Sequence, residues 1–175
     1  MTDMANAIMD AAERHIRVGG FGAFSFRDLA SEVGVKSSSV HYYFPTKEKL
    51  GAAVISRYTA RVAEHIEELF ASEPDPIKVM TTAFGTPVHS KDRLCPCLVL
   101  GAAIFDLAPE VAAGVKAYYD MWLDRLEEKG LPRRKASAIM SALLGAQLLA
   151  AVFDNVETYD DTAEDVLRER EAIAA

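Results

Sequence analysis

Cysteine is scarce in this chain: two in 175 residues, Cys95 and Cys97, with one proline between them. That is too few, and they are too close together, for a disulfide framework, so a small secreted scaffold is excluded and the pair needs its own account. Long apolar runs are also missing. The most apolar run, Ala142 to Phe153, is 12 residues long and contains Gln147, short of the roughly 18 apolar residues that mark a spanning helix, so no membrane segment is expected. The N-terminus, Met-Thr-Asp-Met-Ala-Asn, shows no basic region ahead of an apolar stretch, which points to the cytoplasm rather than to secretion. Strict apolar/polar alternation is lacking, as is any repeat of 20 to 50 residues. There is no Gly-rich phosphate loop, no Gly-x-Ser-x-Gly elbow and no carboxylate pair near a histidine, so an enzyme has little to be built from. His89 with Cys95 and Cys97 offers three ligand-type side chains within nine residues. There is no second pair, and His15 and His65 stand singly on amphipathic helices; no metal and no cofactor is expected.

What is present is the balance of a globular protein, half hydrophobic and about a quarter charged, in a chain long enough for one good core or a small module plus a larger one. The net charge of −7 is unevenly spread. Residues 1–50 carry six basic side chains (Arg14, Arg17, Arg27, Lys36, Lys47, Lys49) against six acidic ones, and the other 125 residues carry the whole excess. A neutral N-terminal module on an acidic body permits DNA binding through that module alone.

The periodicity is helical almost throughout, and the class is all-α. Ile8, Ala12 and Ile16 place a first helix at about 4–18, stopped by Gly19-Gly20. Ser25 with Asp28 resembles a capping box and opens a second helix at about 26–33. Gly34 breaks it, Ser37 or Ser38 can cap a third helix, and Pro45 ends that one at Phe44. Thr46 caps a fourth, which ends before Pro74. Further helices are expected at 76–86, 97–107, 109–129, 132–154 and 162–172.

Ser25 to Phe44 is the most informative stretch. Ala30 is small where two helices cross, Gly34 can take positive φ in a tight turn, and Val40 closes the core, which is the pattern of a helix-turn-helix. Its second helix would present Lys36, Ser37, Ser38, Ser39, His41 and Tyr42 to the major groove. The plain alternative is an ordinary helical hairpin, and for Phe44 packing is the preferred reading. Serine hydroxyls donate or accept with almost any partner, so specificity would rest on Lys36, His41 and DNA shape.

Phe26-Arg27-Asp28-Leu29-Ala30, then Gly34-Val35, then Val40-His41-Tyr42-Tyr43-Phe44-Pro45-Thr46-Lys47-Glu48-Lys49-Leu50 resembles the N-terminal signature of the TetR family of bacterial transcriptional regulators. The resemblance is dense over residues 8–55 and weak afterwards. It implies a homodimer of about nine helices: a helix-turn-helix DNA-binding domain at 1–46, a linking helix at 47–74, and a ligand-sensing and dimerisation domain at 75–175. His41, where Tyr is usual, and Lys36-Ser37 depart from the pattern on the reading helix, which leaves the operator sequence open. Within this reading Lys47, in the first turn of the fourth helix, would hold a phosphate together with free backbone N–H groups. Arg27, Tyr42 and Tyr43 are further phosphate candidates.

Cys95-Pro96-Cys97 is expected at a helix start, where unpaired N–H groups and nearby Arg93 favour a thiolate. Cys97-Leu98-x-Leu100-Gly101 is also similar to a TetR subgroup whose Cys-Leu-Leu-Gly cysteine senses electrophiles or oxidants, which makes Cys97 the expected sensor with Cys95 beside it. The alternative for Cys97 is a buried small hydrophobe. Met80, Phe84, Leu100, Phe105, Tyr118, Met121, Trp122, Met140 and Gln147 are the materials for an apolar ligand pocket. Ala138, Ala142, Ala146 and Ala150, with the row Ser141 and Gly145 and with Leu149 and Phe153, form a strip of small and apolar residues suited to a dimer seam. The expected function is a repressor that binds a palindromic DNA operator as a homodimer. A small-molecule inducer, or thiol modification at Cys97, would release it by moving the fourth helix. The rival is a small helical thiol enzyme using Cys95 and Cys97 with no DNA role.

Overall fold

The computed structural model describes residues 2–90 and 94–174, with side chains as far as Arg168. Among the described residues there are nine α-helices and no strand: α1 (Asp3–Gly19), α2 (Phe26–Glu32), α3 (Ser37–Tyr43), α4 (Lys47–Ser72), α5 (Pro76–His89), α6 (Pro96–Ala102), α7 (Pro109–Glu128), α8 (Arg133–Phe153) and α9 (Glu157–Ala174). Short 3₁₀ turns occupy Phe21–Ala23 and Ile104–Asp106. Two compact units account for the contacts, one of residues 1–60 with 95–118 and one of 61–94 with 119–175.

In the first unit α1 lays Ile8, Met9, Ala12 and Ile16 into a core shared with Leu29, Val40, Leu50, Val54 and Ile55, all buried. The caps follow from residue chemistry. Ser25 and Asp28 form the expected capping box: Ser25 Oγ accepts from the Asp28 N–H and Asp28 Oδ2 accepts from the Ser25 N–H. At the end of α2 the Val35 N–H bonds the Ala30 carbonyl at 2.9 Å and the Gly34 N–H bonds that of Ser31. This Schellman closure requires the positive φ of 74° that Gly34 takes. Thr46 caps α4 through Lys49 N–H. No serine caps α3, contrary to expectation; Lys36 is the cap residue and makes no side-chain bond there, so Ser37 is already helical. α6 also packs on α1, bringing the cysteines into this unit.

In the second unit α8 packs on α5 and α9. Two boundaries moved from their expected places. α5 continues through Pro87 to His89, because a proline in the last turn forfeits only one helical bond, and Ser90 N–H closes the end on the Thr86 carbonyl. α9 begins five residues early, because Asn155 Oδ1 accepts from the Glu157 N–H and starts the helix there. α8 is, by length and hydropathy, apolar enough to cross a membrane, which run length alone did not reveal. Part of its apolar surface is spent inside the unit, where Ala136, Ile139, Met140, Leu143, Ala146 and Ala150 are buried.

Candidate nucleic-acid interface and thiol cluster

The α2–α3 pair is held by apolar contacts below and a polar surface above. Leu29, Ala30 and Val40 are buried, so the opposite side of α3 is left to solvent. Lys36, Ser38, His41 and Tyr42 are exposed, with Ser37, Ser39 and Tyr43 half-buried beside them and Arg27 exposed on α2. Phe44 is buried, as its packing reading requires. Tyr42 is 83% exposed and stands edge-on to Tyr43 at 5.3 Å; His41 sits edge-on to Phe26 at 4.7 Å. Lys47 differs from its expected posture. Its ammonium donates to the Phe24 carbonyl at 2.6 Å and lies over the rings of Phe21 and Phe24, and burial lowers its pKa. The side chain is turned into the protein, which leaves the helix start to its backbone N–H groups.

Beneath this surface α1 is tied to α2 by Glu32, which accepts from Arg14 at 2.7 Å and lies 2.8 Å from His15 Nε2. Arg17, on the same helix, pairs with Glu13 at 2.8 Å with both side chains nearly buried, and its guanidinium lies over the Tyr58 ring at 5.4 Å. Apart from the Arg17–Glu13 pair, four residues apart, the partners in these contacts lie 17 to 41 residues apart, and nothing local marks them in the sequence.

The thiol cluster adjoins that network. Both cysteines are free and buried. Cys95, not Cys97, occupies the cap of α6. Tyr58 Oη donates to Cys95 Sγ at 3.4 Å, and the Tyr118 hydroxyl lies 3.7 Å from the same sulfur. Burial pushes the Cys95 thiol up, but hydrogen bonds with Cys97, Tyr58, the Leu98 N–H and Tyr118 outweigh it and bring its pKa to about 6. Cys97 moves the other way, raised well above the usual thiol range by burial and then by its bond and charge contact with Cys95. The helix start favours a thiolate in this pair without choosing a sulfur; the hydrogen-bonding groups gather at Cys95, two residues before the expected sensor Cys97. Arg93, expected to assist, lies outside the described residues.

The expected ligand pocket and dimer strip are each divided. Phe105 is fully exposed on its 3₁₀ turn and lines nothing. Leu100 and Tyr118 belong to the first unit, while Met80, Phe84, Met121, Trp122, Met140 and Gln147 belong to the second. There Trp122 packs on Phe84 at 4.9 Å and Gln147 Nε2 donates to the Phe84 carbonyl at 2.6 Å. Trp122 Nε1 and Gln147 Oε1 are buried without a hydrogen-bond partner among the described residues. His89 faces Asp160 at 3.0 Å in the second unit, while the cysteines are in the first. No group of three or more His, Cys, Asp or Glu fit for a metal occurs among the described residues.

On α8, Ala146 and Ala150 are buried within their own unit, whereas Ala138, Ser141, Ala142, Gly145, Leu149 and Phe153 are exposed. A spacing of four overshoots a full turn by about 40°, so from Ala138 to Ala150 the row rotates by roughly 120° and leaves the face it began on. Leu148, Val152 and Val156 complete the exposed apolar strip.

A helix-turn-helix with an exposed polar second helix, in an all-helical chain of this kind, defines a DNA-binding transcription regulator. Residues 8–54 match the family model described as bacterial regulatory proteins, tetR family. The whole fold is similar to that of a TetR-family transcriptional regulator from Agrobacterium tumefaciens (TM-score 0.87, 24% identity, 95% of this chain and 96% of that one). It is likewise similar to a TetR regulator from Legionella pneumophila (0.86, 23%, 97% and 98%) and to the reduced form of NemR from E. coli (0.78, 19%, 94% and 95%). At these identities the likeness establishes the fold. No curated protein sequence matches the chain. The N-terminal module, residues 8–54, is thus similar to that of the tetR family of bacterial regulatory proteins.

Proposed function

We propose that this regulator is a cytoplasmic homodimeric repressor, not an enzyme, that binds a palindromic operator through α3 and is released by a small molecule or by modification at the thiol cluster. The observation that carries the proposal is the split character of α3. Its apolar side is consumed by Leu29 and Ala30, and Lys36, Ser38, His41 and Tyr42 are left free to reach base edges and phosphates. Arg27, Tyr43 and the backbone N–H groups at Lys47 are assigned to phosphate, with Ser37 and Ser39 beside the reading edge. The exposed α8 strip supports the dimer, since an apolar face of that extent on a monomer calls for a partner. Twofold symmetry would set two reading helices about 34 to 36 Å apart.

Two release routes are supported by different groups. The unpartnered Trp122 Nε1 and Gln147 Oε1 beside Phe84 offer a small molecule one donor and one acceptor in an apolar surrounding. The cysteines lie in the unit that holds α3, and Tyr58 connects Cys95 to Arg17 on α1, so a change at the sulfur reaches the helix that supports α2. Both sulfurs are closed from solvent, which favours a regulatory over a catalytic use. The test is duplex binding against salt: a palindromic sequence selected from a random pool should bind tightly, with an affinity that falls steeply as salt rises. Equal, weak affinity for every duplex at low salt overturns the proposal.

A further inference from the structure

The convergence of hydroxyls on one sulfur says which thiol reacts and with what: Tyr58 donates to it, and the thiol donates to Tyr118, which is free to donate in turn once the sulfur has lost its proton. Cys95 Sγ has the Tyr58 hydroxyl at 3.4 Å and the Tyr118 hydroxyl at 3.7 Å, and both rings are buried and tilted against each other at 5.6 Å. Two hydroxyls from two helices, α4 and α7, plus a neighbouring thiol surround a single sulfur. A neutral thiol has one proton to give and uses such a surrounding poorly; an anionic sulfur, or a sulfur carrying one added oxygen, accepts from all of them. Cys97 has the opposite environment: wholly buried, it donates to Cys95, and losing its proton would place two negative sulfurs side by side.

We propose that Cys95 is the oxidisable thiol and that a small hydroperoxide converts it to a sulfenic acid held by the Tyr58 and Tyr118 hydroxyls. This rests on the reading that the thiol cluster regulates DNA binding, and supplies the atom and the reagent class. The Cys95 thiolate attacks one oxygen of the hydroperoxide; an S–O bond forms as the O–O bond breaks. The sulfur gives up two electrons, and the second oxygen leaves as hydroxide (or alkoxide), which takes up the proton the thiol released. Cys95 is only 3% exposed. Its reagent therefore enters by a brief local opening, and an oxidant little larger than water is favoured over a bulky electrophile. The added oxygen stands where the tyrosine hydroxyls now meet the sulfur, so Tyr58 must shift, and with it the Arg17 guanidinium stacked on its ring.

The test follows oxidation by hydrogen peroxide with intact mass and peptide mapping, and operator release in the same samples. Wild type and Cys97→Ser, whose hydroxyl keeps the donor, should gain oxygen at Cys95, and peroxide should outpace a maleimide of equal concentration. Tyr58→Phe and Tyr118→Phe keep the ring and remove one hydroxyl. A hydrogen bond to a charged sulfur is worth roughly one to two powers of ten in its ionisation. At pH 6 each variant should therefore oxidise about five- to fiftyfold more slowly, with the midpoint of its rate against pH moved upward. Oxidation that maps first to Cys97, or that keeps its wild-type rate and pH profile in both phenylalanine variants, overturns the proposal; those variants decide the matter even should Cys95→Ser fail to fold. Oxidation at Cys95 that leaves the operator bound refutes the regulatory reading alone. Peroxide-driven release in a folded Cys95→Ser refutes the choice of sulfur alone.

Discussion

Two alanines one turn apart on α8 should respond oppositely to the same substitution. Ala142 is exposed and Ala146 is 3% exposed, packed inside the second unit. Ala142→Glu puts a solvated carboxylate on the monomer surface, where substitutions usually cost within about 0.5 kcal/mol. In a dimer seam the same carboxylate meets its symmetry copy across apolar surface and loses its water, which costs several kcal/mol, enough to raise a nanomolar dimer constant by three orders of magnitude or more. Ala146→Glu buries an unpaired charge in the monomer itself, and several kcal/mol is a large share of the roughly 5–15 kcal/mol that holds a domain together. Light scattering at micromolar concentration should find Ala142→Glu monomeric and still helical by circular dichroism, with operator binding lost although its DNA-facing residues are intact. Ala146→Glu should be unfolded or aggregated. An Ala142→Glu protein that stays dimeric would refute the assignment of this strip as the seam, and an Ala146→Glu protein as stable as wild type would refute the division of α8 into an inner and an outer face.

Arg27→Ala should lower the slope of log affinity against log salt by about 0.9, as loss of one phosphate contact does, whereas Lys47→Ala, whose ammonium is held at the Phe24 carbonyl, should leave the slope intact and lower the melting temperature instead. Gly85→Ala should destabilise by about 1 kcal/mol in thermal unfolding: the new Cβ would stand 3.0 Å from Tyr159 Cε1, and Tyr159 cannot yield because its hydroxyl donates to the Thr81 carbonyl at 2.6 Å. The clash of about 1–3 kcal/mol outweighs the roughly 1 kcal/mol that alanine gains in a helix; a higher melting temperature would show that Tyr159 is not fixed.

The N-terminal module was readable because its signals are local. Capping by Ser25 and Asp28, the turn at Gly34 and the stop at Pro45 each operate within a few residues, so spacing alone places them. The thiol cluster was not readable for the converse reason. Cys95 finds its hydroxyl partners in Tyr58 and Tyr118, 37 and 23 residues away, and without them the motif favours Cys97. Lys47 shows how an expected position can come with an unexpected posture. Its place in the first turn of α4 is as expected, but Phe21, on a 3₁₀ turn that periodicity does not mark, and Phe24, just after it, draw the ammonium inward. On α8 the fault lay in the ruler, since a four-residue spacing follows a helix for one turn and then leaves its face.

The tie between α1 and α2 gives a pH test of how the module is held. Glu32 accepts from Arg14 and adjoins His15, and its carboxyl is held below the usual range by the Arg14 bond first and the His15 bond second, against a smaller opposing effect of burial. A carboxyl whose folded pKa lies below its unfolded value of about 4.3 stabilises the fold above that pH, and the contribution is lost as pH falls through the lower folded value. Glu32→Gln cannot ionise and lacks this contribution at every pH. Wild type should therefore melt higher than Glu32→Gln near pH 6 to 7, and the gap should close as pH falls below about 4. The side chains of Arg14, His15 and Glu32 are about one-third or more exposed, so solvent screening limits the gap to about 1 kcal/mol, or roughly 2–4 °C for a protein of this size. Thermal unfolding of both proteins at low salt between pH 3 and 7 measures it. A gap that stays constant across that range, or widens toward acid, would mean that Glu32 holds α2 to α1 by shape and not by charge.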